Sequence, residues 1–196
     1  MQMHQKNFSR GRGGWQLIRL LLVAIILLST VACSTWKPFR GSFEEEKSLI
    51  FGYIDMSDAP SSFKWLNAKR IKPTSDTPYY GFFVDHGLFY RTYIPEGVYK
   101  LHDFGGFSWR YGGTEMAYNF PSQGKNVWDP VIRVPGIYYL GSYKYKKAKS
   151  SFMNVKYDLL QIKSPGEKEL LQRLLKLAVH PTWKNKIEKR IKEIKS

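Results

Sequence analysis

Apolar residues follow three different patterns along the chain. One uninterrupted apolar run, residues 20–28, comes after a stretch that carries four cations and no acid. From residue 48 to residue 162, short apolar and aromatic segments alternate with turn residues. From residue 165 onward, apolar residues are spaced three and four apart. The chain therefore divides into a leader, a region of strands and a region of helices.

The middle pattern predicts an all-β region over residues 48–163. Its first segment, Ser48–Asp55, is an apolar run that turn residues close, and Asp85-His86-Gly87 separates two aromatic segments, 79–84 and 88–94. Proline and glycine at 95–97 and at 135–136 predict further turns. The remaining strand candidates are 63–67, 98–104, 107–111, 115–120, 131–134, 137–145 and 152–162. Short strands in this number, with turns between them, predict an antiparallel β-sandwich or barrel.

The last pattern predicts an α-helical hairpin over residues 164–196. Ser164-Pro165-Gly166-Glu167 has the order of a capping box, with Ser164 as the cap and Pro165 as the first helical residue. His180-Pro181 interrupts the helical pattern, which predicts a second helix after it. Apolar residues form a stripe on each helix: Leu170, Leu171, Leu174, Leu175 and Ala178 on the first, and Trp183, Ile187, Ile191 and Ile194 on the second. We expect both stripes to face the β region.

The leader predicts export and a lipid anchor. Nine apolar residues in a helix cover ~14 Å, about half of a hydrocarbon core, and this length after a cationic segment is typical of a secretory signal peptide. Residues 29–34, Ser-Thr-Val-Ala-Cys-Ser, resemble the lipobox of bacterial lipoproteins, with Thr30 where leucine is usual. The resemblance implies cleavage after Ala32 and acylation of Cys33, which is the only cysteine of the chain. The alternative is an uncleaved membrane anchor.

The same resemblance predicts a location. Ser34 is not the aspartate that tends to retain lipoproteins at the inner membrane, so we expect the outer membrane, on its periplasmic face. Residues 1–32 form the signal peptide and residues 33–47 a tether between lipid and domain. A single cysteine excludes an intramolecular disulfide and a CxxC zinc site.

Positive charge points to an anionic partner. The chain has a formal charge of +15, and the mature protein keeps +11 because residues 1–32 hold four cations and no acid. The terminal helix concentrates cations, namely Lys184, Lys186, Lys189 and Arg190. An exported protein meets phospholipid and lipopolysaccharide phosphates rather than nucleic acid, and the sequence has no nucleic-acid recognition motif. The alternative is a solvated helix that packs its Trp/Ile face on the β domain.

The sequence offers little catalytic chemistry. Its only adjacent His/acid pairs are Asp85-His86 and His102-Asp103. A hairpin about residues 95–97 would separate the two histidines by ~13 Å, too far for ligands of one metal ion. The sequence contains no GxSxG, Walker or GxGxxG motif. We therefore predict no enzyme activity, no cofactor and no metal.

Aromatic residues mark one further candidate site. Phe107, Trp109 and Tyr111 alternate along one strand, near Tyr118, Phe120 and Trp128. Alternate residues share one side of a strand, and Trp109, Tyr111 and Trp128 are the candidates for a platform that stacks on sugar rings. The alternative is that these aromatics fill the core.

Two segments carry a resemblance to a fold. Residues 85–101, which include Pro95-Glu96-Gly97-Val98-Tyr99, and residues 135–141 are similar to strands of prealbumin-like (carboxypeptidase-regulatory-like) β-sandwich domains, which occur in uncharacterised bacterial lipoproteins. The resemblance implies a prealbumin-like sandwich over roughly residues 48–145. It implies no catalytic residues. We expect a non-enzymatic binding, scaffolding or envelope-maintenance role, with glycan or cell-wall-fragment binding by strand 107–120 as the alternative.

Overall fold

Nine strands and two helices make up the described part of the chain. The computed structural model describes residues 47–74, 79–109, 112–120, 129–147, 157–178 and 180–194, all within Pro38–Ser196, the larger of the two units into which the chain divides. The strands are β1 (Ser48–Asp55), β2 (Trp65–Lys72), β3 (Tyr79–Asp85), β4 (Leu88–Ile94), β5 (Gly97–Ser108), β6 (Thr114–Asn119), β7 (Val131–Ile132), β8 (Ile137–Lys147) and β9 (Tyr157–Ile162). The helices are α1 (Glu167–Leu177) and α2 (Pro181–Glu193). The prediction of a mostly β chain with two C-terminal helices is confirmed.

All nine strands belong to one mixed sheet. Its order is β6-β5-β2-β3-β4-β1-β8-β9, and β7 pairs with β5. β1 and β8 run parallel, from Leu49 opposite Ile137 to Asp55 opposite Lys144. The prediction of a wholly antiparallel sheet is therefore wrong at this pair. The sequence does not indicate this pairing, because a parallel pair needs a long crossover connection and 81 residues separate β1 from β8.

The sheet curls into a half-barrel because β3 changes partner along its length. Its first half pairs with β2, and its second half pairs with β4. A strand shared in this way forms a corner. The curl brings the two ends of the strand order together, since the rings of Tyr118 on β6 and Tyr157 on β9 lie 5.3 Å apart. The Tyr157 hydroxyl also donates a hydrogen bond to the Asn119 carbonyl of β6.

The sheet carries a hydrophobic core on each face. Ile50 and Ile54 of β1 belong to the inner core, which also takes residues from β2, β5, β6, β8 and β9. Leu49 and Phe51 belong to the outer core, which the two helices cover. A strand that is buried on both faces needs a continuous apolar run, and this explains the unbroken pattern of Ser48–Asp55.

Both apolar helix stripes pack on the outer core, as predicted. Leu170, Leu171 and Leu174 of α1 and Trp183 and Ile187 of α2 are fully buried there. The first helix begins two residues later than predicted. Gly166 is its N-cap, and the Gly166 N–H donates to the Glu169 carboxylate at 2.8 Å. Ser164 instead donates to the same carboxylate from outside the helix, at 3.4 Å.

The residues around Gly105-Gly106 differ from the prediction. The sequence predicts two strands broken near these glycines, and the structure has one continuous strand, β5. Both glycines are buried because other groups approach closely: a Cβ on Gly105 would lie 2.6 Å from the Trp65 ring, and one on Gly106 would lie 2.2 Å from the Ser62 carbonyl. The predicted hairpin about residues 95–97 is also wrong, because β5 leaves β4 and pairs with β2.

Candidate functional site

Several polar side chains gather around a cleft at one end of the sheet. We name this the distal end, and it comprises residues 55–64, 85–88 and 107–109. A cleft of about 440 Å³ opens there between the end of β1, the loop before β2 and the β3–β4 turn. Tyr53, Asp55, Lys64, Asp85 and His86 line it. Three segments that are far apart in sequence thus supply one concave site.

A tight turn places Asp85 and His86 in the cleft wall. His86 and Gly87 have φ of 46° and 84°, the left-handed conformation that a two-residue hairpin turn of type I′ requires. This confirms the predicted turn. Arg173 of α1 fixes it, since its Nη2 donates to the Asp85 carbonyl at 2.7 Å and to the His86 carbonyl at 3.3 Å. The His86 imidazole stays 92% exposed, 3.8 Å from the Asp85 carboxylate.

Asp55 and Tyr53 give the cleft one charged and one neutral oxygen. Burial acts to raise the pKa of Asp55, but hydrogen bonds from Ser57 and the Lys144 ammonium outweigh it, so that the pKa lies below its ordinary value. The Ser57 N–H lies 2.9 Å from Asp55, and the Lys144 Nζ lies 3.7 Å from it. Burial, and secondly the Asp55 charge, raise the pKa of Tyr53. At neutral pH the pair offers an anionic acceptor and a phenolic donor.

The predicted aromatic strand ends beside this cleft. Phe107 is 46% exposed and Trp109 is 87% exposed, whereas Ser108 between them is buried. The Ser62 N–H donates to the Phe107 carbonyl at 3.0 Å, and the Phe107 N–H donates to Ser62 Oγ at 3.2 Å. Because Ser62 also lines the cleft, the aromatic strand end and the cleft share one loop.

The structure divides the predicted aromatic group between surface and core. Tyr118 and Phe120 are each 6% exposed and belong to the inner core. Trp109 is available to a ligand. Tyr111 and Trp128 lie outside the described residues.

The two His/acid pairs lie on separate elements. His86 is in the β3–β4 turn, while His102 is in β5 with its Nδ1 3.2 Å from Asp103. Asn67 also donates to Asp103, at 2.9 Å, and the Tyr79 ring meets the His102 ring edge-on at 5.5 Å. Within the described ranges, no three His, Cys, Asp or Glu side chains come close enough to hold one metal ion.

One of the four cations of the predicted cationic surface of α2 binds α1. Lys184 and Lys189 are exposed, and Lys186 is half-buried. Arg190 faces α1, where its Nε lies 2.9 Å from Glu167, and its Nη1 lies 3.9 Å from Glu193. An anionic partner of this helix would therefore meet Lys184 and Lys189 first.

Comparison with known proteins identifies no relative of this chain. The chain matches no family model, no curated protein and no solved structure. The predicted lipidation residue, Cys33, lies outside the described residues. None of the helices in the described part of the chain has the length and hydrophobicity to cross a membrane.

Several residues of the cleft escaped the sequence prediction. Asp55 closes an apolar strand and Arg173 sits on the polar side of a helical stripe, so each has an ordinary pattern. The contact that places Arg173 beside the cleft wall is between distant residues, since 87 residues lie between Arg173 and Asp85, whose carbonyl it binds. The Asp85-His86-Gly87 turn was the one part of the cleft with a local sequence signal.

Proposed function

We propose that this protein is a lipid-anchored lipoprotein of the bacterial cell envelope with a non-enzymatic binding, scaffolding or envelope-maintenance role. The observation that carries the proposal is the position of Cys33, the only cysteine of the chain, directly after a cationic segment, a short apolar run and Ala32. The strand region begins at Ser48, so residues 34–47 suffice as a tether. Two or three acyl chains give stable anchoring, which a single chain does not.

The proposed compartment is the outer membrane, with the domain in the periplasm. Ser34 after the lipidated cysteine supports this location. The non-enzymatic role is proposed from the sequence, which contains no GxSxG, Walker or GxGxxG motif.

Metabolic labelling tests the anchor. The native host is grown with an alkyne fatty acid, and the wild-type chain is compared with Cys33→Ala, followed by membrane fractionation. We expect label that depends on Cys33 and a wild-type protein in the outer-membrane fraction. Unlabelled protein in the cytoplasmic-membrane fraction would instead show that residues 20–32 are an uncleaved anchor.

The exposure of Trp109 favours a second candidate, a module that binds glycans or cell-wall fragments at the distal end. A tryptophan that is 87% exposed at a strand end has no packing role there, whereas its indole face can stack on a sugar ring. The neighbouring cleft adds polar groups, including Asp55, Lys64 and His86, that can hydrogen-bond to sugar hydroxyls. Their combination at one end distinguishes this surface from the rest of the described sheet.

Binding to wall fragments tests this candidate. The lipidated protein in detergent is titrated with soluble peptidoglycan fragments, and tryptophan fluorescence is followed. We expect Trp109→Ala to reduce affinity at least ~5-fold with an unchanged circular dichroism spectrum, since an aromatic stack contributes about 1 kcal/mol or more beyond area burial. Leu160→Ala, which alters an exposed apolar residue of β9, is the matched control. Equal affinity of both variants and wild type would exclude the platform.

We also propose that the half-barrel is a distorted prealbumin-like sandwich. Support comes from β3, which divides between β2 and β4 as a corner strand, and from the inner core, which collects residues from both halves of the strand order. An experimental structure with β2, β5 and β6 facing β1, β8 and β9 in two layers would agree with it. An open sheet without facing layers would not.

A further inference from the structure

The end of the sheet opposite the cleft is the end at which the chain enters the domain. We name it the tether end, and it comprises Lys47 and residues 71–73, 94–97 and 131–136. Strand pairing brings these segments together, because Ser48 lies opposite Ile94, Gly97 opposite Ile132 and Lys72 opposite Val98. The Leu49 N–H also donates to the Gly136 carbonyl at 2.9 Å. Lys47, the first described residue, therefore lies at this end.

The tether end contains a notch with a cationic lining. The notch has a volume of about 400 Å³, and Lys47, Arg70, Pro95, Glu96 and Pro135 line it. Arg70 donates from Nη2 to the Glu96 carbonyl. Its Nε–H is buried and meets no acceptor in the part of the chain that the structure describes. The guanidinium charge of Arg70, together with the ammonium of Lys47, makes this lining suited to an anionic group.

Exposed cations and apolar side chains surround the notch. Lys72 and Arg133 are exposed, and Glu96 and Asp129 are the acids among the described residues of this end, while Glu44, Glu45 and Glu46 precede Lys47 in the sequence. Ile71, Val131 and Val134 are 41%, 46% and 63% exposed. Basic residues interspersed with protruding apolar side chains are typical of surfaces that rest on an anionic bilayer.

We propose that the tether end docks on the anionic phospholipid surface of the membrane that holds the anchor, with a headgroup phosphate in the Arg70–Lys47 notch. This inference rests on the proposed lipid anchor. Fourteen residue steps from Cys33 to Lys47 span at most ~50 Å, so the anchor keeps the tether end near the bilayer. Docking is then intramolecular, and a weak surface contact is sufficient.

Docking at this end fixes the orientation of the domain. β5 runs from Gly97 at the tether end to Ser108 at the distal end, and its 12 residues cover ~40 Å of strand. Trp109 and the cleft therefore point away from the bilayer.

Lipid quenching on the full lipidated protein tests the orientation. Because the Cys33 thiol carries lipid, a fluorophore is attached to Val134→Cys or, as the distal control, to Trp109→Cys. Each protein is reconstituted in vesicles of phosphatidylcholine alone or mixed with phosphatidylglycerol, with a headgroup nitroxide lipid as quencher. We expect at least ~5-fold stronger quenching at 134 than at 109 in the anionic vesicles, with the difference lost in neutral vesicles or at high salt.

Charge variants test the surface itself. Lys72→Gln/Arg133→Gln changes two exposed residues and should reduce the docked fraction ~10-fold or more, since each cation near an anionic leaflet contributes about fivefold. The matched control, Lys146→Gln/Lys147→Gln on exposed residues of β8, should leave docking unchanged. Arg70→Lys keeps the charge but removes the planar guanidinium, which binds phosphate oxygens in pairs, and we expect a severalfold loss.

Each other outcome overturns the proposal in a distinct way. Equal quenching at 134 and 109 would show that the tether end does not bind the membrane surface. The same quenching difference in neutral and anionic vesicles would show that its binding does not depend on anionic lipid. Loss of docking in Lys184→Gln/Lys189→Gln but not in Lys72→Gln/Arg133→Gln would assign the contact to α2. Protein that fails to float with vesicles would show that the anchor itself is wrong, which removes the proposed function along with this inference.

Discussion

The two tryptophans at opposite extremes of burial give the sharpest test of the described packing. Trp183 of α2 is 1% exposed in the outer core, and Trp109 is 87% exposed at the end of β5. Truncation of a buried tryptophan to alanine removes its transfer free energy and leaves a cavity, which together cost about 3–5 kcal/mol. The same truncation at an exposed position changes stability by no more than about 0.5 kcal/mol. We therefore predict that Trp183→Ala destabilises the protein far more than Trp109→Ala.

The measurement is urea unfolding of the lipidated protein in detergent, followed by far-ultraviolet circular dichroism. For a domain of this size each kcal/mol corresponds to about 2–4 °C, so Trp183→Ala should also lower the midpoint of thermal unfolding by roughly 10 °C. Trp109→Ala should unfold with the wild type. If Trp109→Ala proved equally destabilising, the exposed strand end would be core, and the platform proposal would fall with it. If Trp183→Ala cost less than about 1 kcal/mol, the packing of α2 on the outer core would be wrong.

Three further predictions follow from particular contacts. Gly105→Ala should destabilise the protein strongly, because a Cβ there would lie 2.1 Å from the Met116 carbonyl. Gly81→Ala is the control and should be neutral, because its Cβ would meet nothing nearer than 3.5 Å. Urea unfolding measures both free energies of unfolding, and equal values would contradict the geometry. Arg173→Gln removes two hydrogen bonds from a charged donor to the β3–β4 turn and should lower the free energy of unfolding by about 1–3 kcal/mol. Hydrogen exchange of the Gly87 and Leu88 amides should become faster. Unchanged exchange would show that the turn keeps its conformation without Arg173. Burial raises the pKa of Tyr90 and Tyr157 to about 12 from the ordinary value of 10.0, so the unfolded chain loses these protons first. The contribution of these two tyrosines to stability should be constant below pH 10.0 and should fall as the pH rises toward 12. Phenolate absorbance and circular dichroism in one titration test this, and ionisation of all tyrosines near pH 10.0 in a folded protein would contradict it.

Local patterns in the sequence were sufficient to predict most of the strands and the presence of both helices. The apolar run of Ser48–Asp55 and the three- and four-residue spacing from Leu170 to Ala178 each reflect a face that must be buried. The turn at Asp85-His86-Gly87 also had a local cause, because glycine accepts the left-handed conformation that the hairpin requires.

Features set by distant residues could not be predicted in this way. The glycines at 105 and 106 suggested a turn, and they are in fact places where Trp65 and Ser62 approach the backbone of a continuous strand. The helix cap shifted from Ser164 to Gly166 because the Glu169 carboxylate binds the Gly166 N–H. The cleft depends on contacts across many tens of residues, such as the one from Arg173 to Asp85, and a single sequence carries no signal of them.

The parallel pairing of β1 with β8 has a consequence for the timing of folding. β1 is the first strand of the described residues, and its parallel partner begins only at Ile137. In a chain delivered N-terminus first, β1 must wait with one edge unpaired until about ninety further residues have followed, and contacts of such long range form slowly. The sheet therefore cannot form completely until the strands of the C-terminal half of the domain have been delivered. In the proposed function, in which the chain is exported unfolded and acylated at Cys33, acylation therefore precedes closure of the sheet.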